Sequence, residues 1–90
     1  MTKREIYRLF NADEIITISE ILEKNVINLE EFSDIMLWSS RDEYIDDILS
    51  NSKIDTWLRP YIDRQMLFSD LQIENENLYV ASDGQLVEFR

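Results

Sequence analysis

Pairs of carboxylates at helical spacing are the residues best arranged for chemistry: Asp42 with Asp46, and Glu43 with Asp47. Residues four apart share a helix face, so such a pair can hold a divalent cation or serve as acid and base on a glycosidic bond. Either use needs a frame around the pair. The flanking residues spell neither an EF-hand loop nor the second lobe that would make a cleft, and adjacent acids on a small helix are ordinarily solvated. The sequence has no His, no Cys and a single Gly. Triads, Cys-His pairs, zinc sites and glycine-rich phosphate loops are therefore excluded. The expectation is a protein that is not an enzyme, with no metal and no cofactor.

Charge is the stronger signal. Nineteen Asp and Glu stand against nine Lys and Arg, a formal charge of -10, in a chain that is 44% hydrophobic. Disordered acidic tails lack core residues, whereas Ile, Leu, Val and aromatics run through this sequence, so a folded domain is expected. Ninety residues allow one domain of modest stability, read here as a single acidic unit over 1–90. Without Cys, nothing calls for an oxidising compartment, and the cytoplasm is the default. No apolar run reaches the roughly 20 residues of a membrane span, and residues 1–10 are too charged for a signal peptide. A surface this negative is repelled by phosphate backbones and anionic lipids, so the expected partner is a basic protein, not nucleic acid or membrane.

The elements that carry the charge read as short amphipathic helices over residues 1–53, then a helix and a hairpin over 54–90. Ile6, Leu9 and Phe10 share the face of a first helix. A second runs from about Asp13 to Lys24, with Ile15, Ile18, Ile21 and Leu22 inward and Asp13, Glu20 and Glu23 outward. Asn28 is read as the cap of a third, in which Leu29, Phe32, Ile35 and Met36 pack inward and Glu30, Glu31 and Asp34 face water. Leu37-Trp38-Ser39 is a short strand or a helix end. Ser40-Arg41-Asp42-Glu43 matches a capping box ahead of Tyr44, Ile45, Ile48 and Leu49, with Asp42, Glu43, Asp46 and Asp47 on the polar side.

Asp55 opens a last helical stretch whose main helix is placed near Pro60 to Leu71. From Asn77 the period becomes two, and Asp83-Gly84 reads as a two-residue type I′ turn that sets Val80 against Val87 and Leu78 against Phe89. Leu71 to Glu74 is the expected third strand, because a lone hairpin is marginal in water. The fold class is thus α+β: a small bundle of short helices packed with a C-terminal hairpin or small antiparallel sheet.

Asp13, Glu20, Glu23, Glu30, Glu31, Asp34, Asp42, Glu43, Asp46 and Asp47 crowd the polar sides of three successive helices, with Lys24 and Arg41 as nearly the only bases nearby. Like charges at i, i+4 each cost a few tenths of a kcal/mol, and solubility needs far less charge. The field itself is the candidate function. Trp38 and Trp57, and the set Tyr61, Ile62, Met66 and Phe68, are read as core or interface packing.

The segment Leu58-Arg59-Pro60-Tyr61-Ile62-Asp63-Arg64-Gln65-Met66-Leu67-Phe68-Ser69-Asp70-Leu71 resembles the characteristic stretch of ArdA-type antirestriction proteins. Leu58, Tyr61, Ile62, Asp63, Asp70 and Leu71 fit that pattern, and a hydrophobic hairpin follows in both. The acidic stretch from Ser39 to Ile48 is similar to the helix that precedes it there. Arg64, Leu67 and Ser69 depart from the pattern, and the family's additional N-terminal α/β domain has no counterpart in this sequence.

The resemblance implies an acidic homodimer, encoded by a phage or mobile element, that copies DNA and blocks a host restriction-modification or other DNA-binding enzyme. Its phosphate-mimicking contacts would be Glu20, Glu23, Glu30, Glu31, Asp34, Asp42, Glu43, Asp46 and Asp47. The competing expectation is an interaction module, anti-CRISPR-like in action, that uses an apolar patch around Trp38, Trp57, Tyr61 and Phe68.

Overall fold

The structure, a computed structural model, describes residues 1–90. In chain order it runs α1 (Lys3–Leu9), α2 (Ala12–Lys24), a 3₁₀ turn at Leu29–Glu31, β1 (Ile35–Trp38), α3 (Arg41–Ser50), a longer 3₁₀ segment at Thr56–Tyr61, α4 (Arg64–Glu74), β2 (Leu78–Val80) and β3 (Leu86–Phe89). The class is α+β, as expected. No helix is long and apolar enough to cross a membrane.

Local sequence starts the helices. The Thr2 hydroxyl accepts the Glu5 N–H at 3.2 Å while the Glu5 carboxylate accepts the Thr2 N–H at 3.1 Å, and Asn11 and Glu14 repeat the exchange at 2.8 and 2.9 Å. Each reciprocal pair satisfies donors that a helix start leaves free. At α3 the expected box forms only in half. Ser40 accepts the Glu43 N–H at 3.1 Å, but the Glu43 carboxylate reaches one residue further back, to the Ser39 N–H at 3.1 Å.

The sheet is antiparallel in the order β1-β3-β2, so β3 lies at its centre. Side chains alternate across a strand, which divides the core in two. On one face Ile35, Val87 and Phe89 meet Ile6 of α1 and Ile18 and Ile21 of α2; on the other, Trp38, Leu78 and Leu86 meet Tyr44, Ile45 and Leu49 of α3 and Phe68 of α4. Phe89 packs between Phe32 and Tyr79, at 5.7 and 5.8 Å between ring centroids, and Tyr44 sits edge-on to Trp38 and Phe68 at 4.7 and 6.2 Å.

Four expectations are corrected. The third helix is a single 3₁₀ turn: Asn28 does cap it, accepting the Glu30 N–H at 3.2 Å, but the chain is extended again at Phe32. The Ser33 and Asp34 N–H groups donate to the Arg90 carbonyl at 2.8 and 3.1 Å, and the Arg90 N–H donates to the Asp34 carbonyl at 2.9 Å, so pairing with the end of β3 replaces helical bonds. Ile35 and Met36 thereby enter β1. This strand, not Leu71 to Glu74, is the third strand; those residues belong to α4. The helix expected from Pro60 starts instead at Arg64, where the Asp63 carboxylate accepts the Met66 N–H at 3.1 Å.

The hairpin register is the fourth. Ala81 N–H donates to the Gln85 carbonyl at 2.8 Å and Gly84 N–H to the Ala81 carbonyl at 3.0 Å, which closes a three-residue loop with Gly84 at φ +91°. Val80 therefore pairs with Leu86 and Leu78 with Glu88. A one-residue shift exchanges the faces of β3, which is why Val87 and Phe89 turn toward α1 and α2. Leu9, expected to share the buried face of Ile6, is exposed.

Candidate partner-binding surface

The acidic residues lie along α2 and α3, on the 3₁₀ turn and at the entry to β1, and nearly all of them are exposed; among the nine expected contacts only Glu20 is half-buried. They fall into two groups by what their carboxylates already hold.

Glu23, Glu30 and Glu31 have no hydrogen bond or ion pair through their side chains. Glu23 stands with Lys3 at the rim of a cleft of about 220 Å³ between α1 and α2, floored by Ile6, Ile15 and Leu22. Glu30 and Glu31 project from the 3₁₀ turn. Asp13 is exposed in the first turn of α2, where its charge favours the helix.

The others also hold the fold. Glu20 on α2 accepts the Ser82 N–H at 2.7 Å and the Ser82 hydroxyl, anchoring α2 to the hairpin loop. The Ser82 hydroxyl bond, then the Ser82 backbone bond, hold its carboxyl below the usual carboxylate range. Asp34 accepts the Ile35 N–H at 2.8 Å at the entry to β1. Glu43 takes the Ser39 N–H and hydroxyl. Asp47 accepts the Trp38 indole Nε1–H and the Asn51 side-chain amide, both at 3.2 Å.

Asp42 and Asp46 share one cation: Arg64 of α4 lies 3.3 Å from the first and 3.0 Å from the second, and also donates to the Asp42 carbonyl at 3.1 Å. Sequence reasoning counted Lys24 and Arg41 as the nearby bases and missed Arg64, because a contact spanning 22 and 18 residues leaves no periodic trace. Arg41 instead covers the Phe68 ring at 4.6 Å. With Arg64 between them, the pair with the best spacing for a shared ligand already has one. No three acidic side chains come together as a metal-holding group.

The residues that carried the family resemblance are divided. Ile62 and Leu71 pack against the α3–α4 core, Asp63 caps α4, and Leu58, Tyr61 and Asp70 are exposed. The expected aromatic patch is split as well: Trp38 and Phe68 are core, whereas Trp57 and Tyr61 are 68% and 81% exposed. Sequence periodicity separates these poorly, since Trp57, Tyr61 and Phe68 follow one helical spacing although only Phe68 is buried.

The charge is uneven along the chain. Residues 11–52 hold eleven acids against Lys24 and Arg41, while residues 1–10 hold Lys3, Arg4 and Arg8 against Glu5. The molecule measures 44 × 24 × 22 Å, so a net -10 along its long axis is slightly sparser than one DNA strand, with its charge about every 3.4 Å. No family model matches the chain, and neither the curated proteins nor the solved structures contain a match to it.

Proposed function

We propose that this protein is a stoichiometric inhibitor that offers its carboxylates to the DNA-binding surface of a basic enzyme, in the manner the ArdA-type resemblance implies, and has no turnover. One observation carries the reading: eleven acids against two bases in residues 11–52, on one helix, one 3₁₀ turn, a strand entry and a second helix, almost all exposed. An enzyme that tracks a phosphate backbone has Lys and Arg at comparable spacing, and carboxylates at that density release the same counterions. The expected target is a restriction-modification or other defence enzyme of a bacterial host.

The test is competition. A purified type I restriction-modification enzyme is bound to labelled duplex DNA, and the protein is titrated in at low and moderate salt. Displacement at a one-to-one or two-to-one ratio, weakening steeply with salt and with Glu23→Lys, Glu30→Lys and Glu31→Lys together, supports the reading. Binding indifferent to salt and to these reversals overturns it.

The exposure of Trp57 and Tyr61 favours a second reading, an interaction module whose affinity comes from an apolar anchor. Here Trp57→Ala weakens target binding more than the triple charge reversal does.

A further inference from the structure

The cleft of about 220 Å³ between α1 and α2 has its cause in the sequence. On α1, Lys3, Ile6 and Tyr7 share one face; on α2, Ile15, Ser19 and Leu22 share another, with Glu23 beside them. Ser19 stands between two large apolar side chains of its stripe. A third large side chain there would close the helices together, and the small one leaves a gap.

The polar groups around that gap hold nothing within the chain. Neither Lys3 nor Glu23 takes part in an ion pair, with each other or with any other side chain, although nineteen acids are present. Both also stand against their helices. A cation on the first residue of α1 and an anion on the last but one of α2 each oppose the helix dipole, so helix stability accounts for neither. The Tyr7 and Ser19 hydroxyls make no hydrogen bond. Elsewhere within helices, Thr17 and Ser69 donate to the carbonyl four residues back and Ser50 to the one three back, so Ser19 alone keeps its hydroxyl free.

We infer that this cleft binds a free α-amino acid with a branched or aromatic apolar side chain. Its volume lies below the about 300–1,000 Å³ of sites for drug-sized molecules, so the ligand is small. An apolar floor flanked by one free cation and one free anion is complementary to an apolar zwitterion. The ligand carboxylate meets the Lys3 ammonium, its ammonium meets the Glu23 carboxylate, and its side chain covers Ile6, Ile15 and Leu22, with the two hydroxyls as further hydrogen-bonding partners. A fatty carboxylate would set a second anion beside Glu23, and an alkylamine a second cation beside Lys3. A neutral apolar molecule would take water from both charges and return nothing to them.

This inference stands apart from the inhibitor reading, because its readout is a ligand held by the chain alone. Titration of the isotope-labelled chain with L-leucine, followed by amide NMR shifts, is expected to saturate at one ligand per chain, in the high micromolar to millimolar range of so small a ligand. The shifts are expected to be confined to α1 and α2. Isopentylamine and isocaproate, which keep the side chain and each lose one charge, are expected to bind about tenfold more weakly or worse. Lys3→Gln and Glu23→Gln, both at exposed positions, are expected to weaken leucine by a similar factor, and in Lys3→Gln leucine and isopentylamine become nearly equal. Ser19→Leu, which fills the gap, is expected to abolish binding while melting no lower than the parent. No saturable binding, equal binding of the single-charge analogues, or shifts centred outside α1 and α2 would each overturn the inference. So would N-acetyl-leucine amide binding as tightly as leucine, which assigns the cleft to an apolar side chain of a protein partner.

Discussion

The Trp38 indole Nε1–H donates to Asp47 Oδ2 across 3.2 Å, tying the last residue of β1 to α3. One carboxylate thus belongs at once to the acidic face and to the scaffold that displays it. Asp47→Ala is expected to cost about 1.5–3 kcal/mol in urea unfolding, as a hydrogen bond to a charged acceptor does. Glu30→Ala, at a side chain that holds nothing, is expected to stay within about 0.5 kcal/mol. Equal losses at both positions would count against this division of the acids.

Glu20 gives the fold an acid-sensitive joint. Its folded pKa lies below its ordinary 4.5, chiefly through the Ser82 hydroxyl. Its stabilising contribution is therefore complete above that ordinary value and fades as the pH falls through the lowered one. Asp83 adds to the same window, lowered from 3.8 by the Gln85 backbone N–H and then by its side chain. The Tm of the parent should exceed that of Glu20→Gln at neutral pH, and the gap should close under strongly acid conditions. A gap unchanged by acid would show that the loss in Glu20→Gln does not come from the charge of the carboxylate.

Gly84 sits at φ +91°, and a Cβ built there would meet nothing within 4 Å. The cost of Gly84→Ala is then backbone strain alone, about 1–2 kcal/mol, with Gly84→Asn losing less because Asn tolerates the left-handed region. Urea midpoints of the two variants would check the ranking.

Phe89 is 1% exposed and is flanked by Phe32 and Tyr79. Phe89→Ala should cost about 3–5 kcal/mol by loss of buried area and the cavity left behind. In a domain of this size that is much of the total stability, so circular dichroism at room temperature should register a sizeable unfolded fraction.

Much of the fold could be read from the sequence wherever the signal was local. The capping residue Ser40, the α2 stripe of Ile15, Ile18, Ile21 and Leu22, and the turn at Gly84 are short-range patterns that the structure keeps. Residues 29–36 failed for the opposite reason. Leu29, Phe32, Ile35 and Met36 carry helical spacing, but β3 needs a second neighbour, and the hydrogen bonds between Asp34 and Arg90 decide the matter from the far end of the chain. The hairpin shifted by one residue because an Asp-Gly pair suits both the two-residue turn and the three-residue loop, and covering both faces of β3 selects the latter. The acids were legible as a field, but not as individuals: Arg64 between Asp42 and Asp46, and Ser82 on Glu20, come from distant segments.

The place of β3 at the centre of the sheet has a consequence for biosynthesis. β1 and β2 do not touch as neighbours; each is completed by residues 86–89. Until the ribosome has released those residues, the nascent chain holds α1, α2 and α3 with their apolar stripes uncovered and no sheet to receive them. Completion of the sheet therefore waits on long-range pairing, whose loop-closure entropy has to be met before the strands gain their bonds. In that interval, mutual repulsion among the carboxylates of residues 11–52 keeps waiting chains apart, a service the same charges perform before any partner is met.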